Sequence, residues 1–104
     1  MNDAYLKLNA IHALYGLGGA SLVRLTVDNQ DENLSIQVLY QRGASEEEVE
    51  RYRDFSTELF SIVGSESAQL DENLIPVETP AEAQFIRPLP VHIYCVYGAE
   101  FPTT

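Results

Sequence analysis

Two alternating stretches constrain the fold of this chain more than any other feature. From Leu22 to Asp28 and again from Leu34 to Tyr40, apolar side chains recur at every second position, the period of a strand with one face buried. Between them runs Asp28-Asn29-Gln30-Asp31-Glu32-Asn33, polar throughout and rich in turn formers. The reading is a β-hairpin with a connection of about four to six residues. Val23, Leu25 and Val27 would face the core. Arg24, Thr26, Ser35 and Gln37 would line an outer face, a reasonable binding surface, with Leu22 and Leu39 as apolar exceptions.

A helix is expected on each side of this hairpin. Asp3 to Tyr15 returns Tyr5, Leu8, Ile11 and Tyr15 to one face, and Gly16-Leu17-Gly18-Gly19 would stop it. Ser45 followed by Glu48 is the spacing of a capping box, in which the serine oxygen accepts a free backbone N–H and the glutamate reaches back. Glu46, Glu47 and Glu48 suit the positive end of the helix dipole, and Glu47 stands four residues before Arg51. Val49, Tyr52, Phe55 or Ser56, Leu59 and Val63 form the buried stripe, with Phe60 and Ile62 at its margins and Gly64 just past the end.

The last third is less periodic. Leu70, Leu74, Ile75 and Val77 are interrupted by Pro76, which suits an irregular or edge strand, because proline cannot donate to the ladder. Thr79-Pro80-Ala81-Glu82 opens a short helical turn that should end by Ile86, and Arg87-Pro88-Leu89-Pro90 forces an extended segment. Val91 to Tyr97 has strong strand character, with Val91, Ile93, Cys95 and Tyr97 on one face and His92, Tyr94 and Val96 on the other. Cys95 reads as a small buried hydrophobe. The whole is one α+β domain over residues 1–104, in the order α-β-β-α-β-(short α)-β. An antiparallel sheet of about four strands carries both main helices on one face.

Sixteen acids against six bases give a formal charge of −10, which disfavours nucleic acids and anionic membrane surfaces as partners. No apolar run reaches the roughly 18 to 20 residues needed to span a bilayer. The first residues lack the basic opening and apolar core of a signal peptide, and a lone cysteine suits a reducing compartment, so the expectation is cytoplasmic.

No catalytic motif is present. The glycine run lies between a helix and a strand, the reverse of a dinucleotide fingerprint, and the hairpin loop lacks the ligand spacing of a calcium loop. Two histidines and one cysteine do not make a structural zinc site. No metal, cofactor or enzymatic activity is expected. The charge on a compact scaffold suits a protein-interaction module, in its sharpest form an immunity or antitoxin-type inhibitor of a basic protein such as a nuclease toxin. Its contacts would be Asp28, Asp31, Glu32, Glu46, Glu47 and Glu50, with Tyr40, Tyr94 or Tyr97 as aromatic anchors. The alternative is a subunit that self-associates through the apolar outer positions of the last strand, a homodimer whose charge serves solubility.

Overall fold

The computed structural model describes residues 3–14, 21–31, 33–64 and 68–102. Its elements are α1 (Asp3–Leu14), β1 (Leu22–Gln30), β2 (Asn33–Gln41), α2 (Glu46–Val63), β3 (Leu70–Val77), the 3-10 helix η1 (Pro80–Phe85) and β4 (Val91–Cys95). They form an α+β fold around one four-stranded sheet, ordered β3-β2-β1-β4. β1 pairs antiparallel with β2 and with β4. β2 and β3 run parallel, because α2 connects them as a crossover rather than as a hairpin. The proline-bearing β3 is an edge strand, as its sequence suggests, and so is β4.

The hairpin is tighter than its composition implies. Gln30 already pairs with Asn33, so Asp31 and position 32 alone connect the strands. Asp31 adopts φ 50°, the left-handed conformation that two-residue hairpin turns require and that aspartate tolerates. The Gly16–Gly19 stop, Tyr15 and Glu32 lie outside the described residues.

A β-bulge corrects the expected facing of β1. The register slips between Leu22, opposite Tyr40, and Arg24, opposite Leu39, leaving Val23 as the extra residue. Leu22 therefore joins Leu25, Val27, Leu34, Ile36 and Val38 in the core beneath the helices, whereas Val23 turns to the other side with Leu39. α2 follows its pattern: Tyr52, Phe55, Ser56 and Leu59 are buried. Gly64 closes it by donating its N–H to Phe60 O, in an extended conformation at φ −79°. A Cβ there would stand 2.6 Å from that same oxygen, so close approach, rather than a left-handed turn, calls for the glycine.

α1 is rotated relative to expectation. It buries Leu6, Ala10 and Ala13, and leaves Tyr5, Leu8 and Ile11 exposed. Small alanines let the helix lie close against α2 and β4, and this close contact takes precedence over the larger side chains.

The second face of the sheet is not an open polar surface. β3 and β4 occupy opposite edges, so the chain between them crosses the outer face of β2 and β1, and the polar residues there hold it down. Gln37 Nε2 donates to Arg87 O at 3.0 Å, and Thr26 Oγ1 accepts the Leu89 N–H at 3.0 Å. Arg24, fully buried, donates to Ala83 O at 2.9 Å, Ile86 O at 2.7 Å and Ala99 O at 3.2 Å, and to Gln37 Oε1 at 3.2 Å. Val23, Leu39, Val77, Ala83 and Ala99 form a second small core around it. The guanidinium thus satisfies carbonyls of an irregular segment that no neighbouring strand can serve. Burial lowers its pKa, with some opposition from Cys95 across the ladder.

β4 contains a bulge as well. Leu25 pairs with Tyr94 and Thr26 with His92, which leaves Ile93 as the extra residue and breaks the alternation expected from Val91 to Tyr97. Cys95 is exposed rather than buried, because the strand lies at an edge.

Candidate functional site

The register separates the expected contact residues into two groups. Asp28 and Asp31 lie at the hairpin end of the sheet, beside the starts of β3 and β4. Glu46, Glu47 and Glu50 begin α2, which follows the far end of β2. Nine residues of strand put these groups about 25 Å apart, at opposite ends of the sheet. Tyr40, Tyr94 and Tyr97 fall at the α2 end, because Tyr40 closes β2 and Tyr94 pairs near the start of β1. Glu32 is outside the described residues.

At the hairpin end Asp28, Ser35 and Asp71 stand side by side on three strands. Asp28 is half-buried and accepts the Asn29 N–H at 2.9 Å, whereas Asp31 and Asp71 are exposed. The arginines are committed elsewhere: Arg24 is buried, Arg42 pairs with Glu78 at 2.5 Å, Arg51 with Glu47 at 3.1 Å and Arg53 with Glu50 at 3.0 Å. Arg87 lies 5.9 Å from the centre of the Phe101 ring. Among the described residues these aspartates therefore have no ion-pair partner.

The α2 end contains a hydrogen-bonded cluster that sequence reasoning missed. Ser45 caps α2 by accepting the Glu48 N–H at 3.2 Å, but the Glu48 carboxylate does not complete the capping box; it accepts from Ser21 Oγ. Ser21 Oγ also contacts Tyr52 Oη. Ser21 has one proton and gives it to the carboxylate, so Tyr52 donates to Ser21, and a chain runs from phenol to hydroxyl to carboxylate. Tyr40 packs on Tyr52 with ring centres 5.7 Å apart. Burial raises the Tyr52 pKa, reinforced by Glu48, Tyr40 and Tyr94. Tyr40 is half-buried and Tyr94 is 39 % exposed, so each offers part of its ring, whereas Tyr97 is 97 % exposed. Nothing local marks Ser21 for this role, since its partners come from α2.

The remaining candidates do not converge. His92 lines a shallow groove of about 340 Å³ with Asp3, Ala4, Lys7, Pro90 and Val91. His12 lies more than two turns along α1, and Cys95 is at the opposite end of β4. Among the described residues no group of three or more His, Cys, Asp or Glu is arranged to hold a metal ion, and no described helix is long and apolar enough to cross a membrane. Partial desolvation by its neighbours pushes the Cys95 thiol pKa up, Glu100 adds to this and Arg24 opposes it. The chain matches no family model and no curated protein.

Proposed function

We propose that the chain is a non-catalytic protein-interaction module, in its sharpest form an immunity or antitoxin-type inhibitor that neutralises a basic protein such as a nuclease toxin. One observation carries the reading: exposed Glu46, Glu47 and Glu50 share an end of the sheet with the partly or fully exposed rings of Tyr40, Tyr94 and Tyr97. Affinity in protein interfaces concentrates on a few aromatic and arginine positions, and surrounding charge supplies steering and specificity. The ion pairs of Glu47 and Glu50 are solvent-exposed and worth roughly 0–1 kcal/mol, so a partner's bases can replace them at little cost. Asp28, Asp31 and Asp71 then act at longer range, attracting the partner without touching it. A net charge of −10 sets this reading against nucleic-acid and membrane partners, in a cytoplasmic setting.

The test is capture from a lysate of the source organism at low and high salt, with wild type and with Glu46→Lys/Glu50→Lys. The reading expects a basic protein that wild type retains at low salt and the variant does not. A wild-type chain that captures no basic protein contradicts it.

The position of β4 at a sheet edge, with Tyr94 partly exposed on it, favours a second reading, the self-associating subunit. A concentration-dependent dimer dispersed by Tyr94→Asp in sedimentation would support that reading; a monomer at all concentrations would remove it.

A further inference from the structure

The two helices on the covered face of the sheet show opposite characters to solvent. α1 packs on β1 and β4, α2 on β2 and β3, and the two lie side by side. Leu6, Ala10 and Ala13 fill the inner face of α1. Tyr5, Leu8 and Ile11, each three residues from the next and so neighbours on the helix surface, lie on its outer face, and all three are exposed. Residues 4–14 contain no acid, whereas α2 carries six acids and two arginines. Glu47, Glu50, Asp54 and Glu58 recur at intervals of three or four opposite its buried stripe, and all are exposed. Glu47 and Glu50 are paired with arginines, but Asp54 and Glu58 take part in no ion pair among the described residues.

Lys7 stands on the other flank of α1. It lines the groove with Asp3, Pro90, Val91 and His92, so it borders β4, on the side away from α2. It is exposed and takes part in no ion pair among the described residues. The outer surface of the helix layer thus has an acidic flank, an apolar middle, and a flank bearing a lysine and a histidine. Such a surface is complementary to itself. A two-fold axis along α1 stacks the apolar stripes and lays the α2 of each copy over the Lys7 flank of the other. An axis across the helices would set α2 on α2, acid against acid. The levels agree too. The start of α1 lies beside the start of β4, and α2 ends where β3 begins, both at the hairpin end of the sheet. Asp54 and Glu58, in the second half of α2, therefore lie toward the same end as Lys7.

We infer that the protein forms a two-fold dimer through the outer face of α1, in which Tyr5, Leu8 and Ile11 pack on their copies and Lys7 of each copy meets Asp54 and Glu58 of the other. This goes beyond the interaction reading, which uses the start of α2. It differs from self-association through β4 in the surface it buries.

Sedimentation of the whole chain tests the dimer without any other protein. Wild type should pass from monomer to dimer as its concentration rises. Leu8→Glu places an acid on the apolar stripe twice in each dimer and should weaken association about thirtyfold or more. Leu8 is exposed in the single chain, so this variant should keep the wild-type circular dichroism. Lys7→Glu should also weaken association, and adding Asp54→Lys/Glu58→Lys to it should restore the dimer, a rescue that damage to the fold does not produce. Tyr94→Asp, on β4, should leave the dimer intact. A wild-type monomer at every concentration overturns the proposal and leaves the capture of a basic protein as a separate question. A dimer that Tyr94→Asp disperses and Leu8→Glu does not overturns it in favour of β4. Failure of the charge exchange to restore the dimer overturns the axis along α1.

Discussion

Ser21 Oγ donates to the Glu48 carboxylate across 27 residues of sequence, joining the start of β1 to the first turn of α2. The same hydroxyl accepts from Tyr52, so removing it strands a buried phenol as well as releasing the carboxylate. Ser21→Ala should cost about 1–3 kcal/mol. Ser45→Ala, which removes only a helix cap, should cost about 1 kcal/mol. Urea denaturation of the two variants checks the order. A larger loss for Ser45→Ala would mean that Glu48 serves the cap and not Ser21.

Tyr52 also gives the protein an alkaline limit. Its folded-state pKa is raised above the ordinary tyrosine value, mainly by burial. The folded chain therefore holds this proton more tightly than the unfolded chain does. That contribution is fully present below a pH of about 10 and is lost as pH rises through the folded pKa. Thermal midpoints followed from pH 8 to 11 should fall more steeply for wild type than for Tyr52→Phe, which has nothing to titrate at this position. Parallel curves would contradict the assignment.

Arg24 holds the covering segment in place. Arg24→Met keeps much of the side-chain length but leaves the carbonyls of Ala83, Ile86 and Ala99 without their donor. With several buried acceptors stranded at roughly 1–3 kcal/mol each, the loss should be about 3 kcal/mol or more. Arg24→Lys should recover only part of it, since an ammonium cannot spread its donors as the guanidinium fork does. Hydrogen exchange should locate the loosening in residues 83–99, whereas uniform loosening of the whole sheet would argue against a local role.

α1 offers a direct check on which of its faces is buried. Leu6 is 1 % exposed and Leu8 is 56 % exposed. Leu6→Ala should therefore cost about 2–5 kcal/mol, and Leu8→Ser should stay within about 0.5 kcal/mol. The reverse order in denaturant melts would restore the orientation expected from the spacing of Tyr5, Leu8 and Ile11.

That orientation shows where local pattern runs out. α1 is apolar on two sides, Leu6, Ala10, Ala13 and Leu14 on one and Tyr5, Leu8 and Ile11 on the other, so periodicity alone does not choose between them. α2 has a charged face opposite Tyr52, Phe55 and Leu59, and its burial was legible. The strands of the hairpin were legible as well, but the bulge at Val23 was not, because a single extra residue leaves no mark on an alternating run and yet exchanges the sides of Leu22 and Val23. The parallel pairing of β3 with β2 depends on where α2 returns the chain, which no local signal encodes. Arg24, Thr26 and Gln37 were read as a solvated outer face. Their real partners are backbone groups some 50 to 75 positions away, and a polar strand residue looks the same in sequence whether water or a carbonyl satisfies it. The acids of the expected contact surface fall at two ends of the sheet, a division that follows from strand direction and that no local signal encodes.

The measurement that bears most directly on the interaction account is the affinity of the captured basic partner for wild type, Glu46→Lys/Glu50→Lys and Asp28→Lys/Asp31→Lys at two ionic strengths. The account predicts that the α2 pair loses affinity through faster dissociation at both salt concentrations. It predicts that the hairpin pair mainly slows association, an effect that disappears at high salt. Equal affinity for all three chains would contradict it and leave the charge of −10 as a matter of solubility.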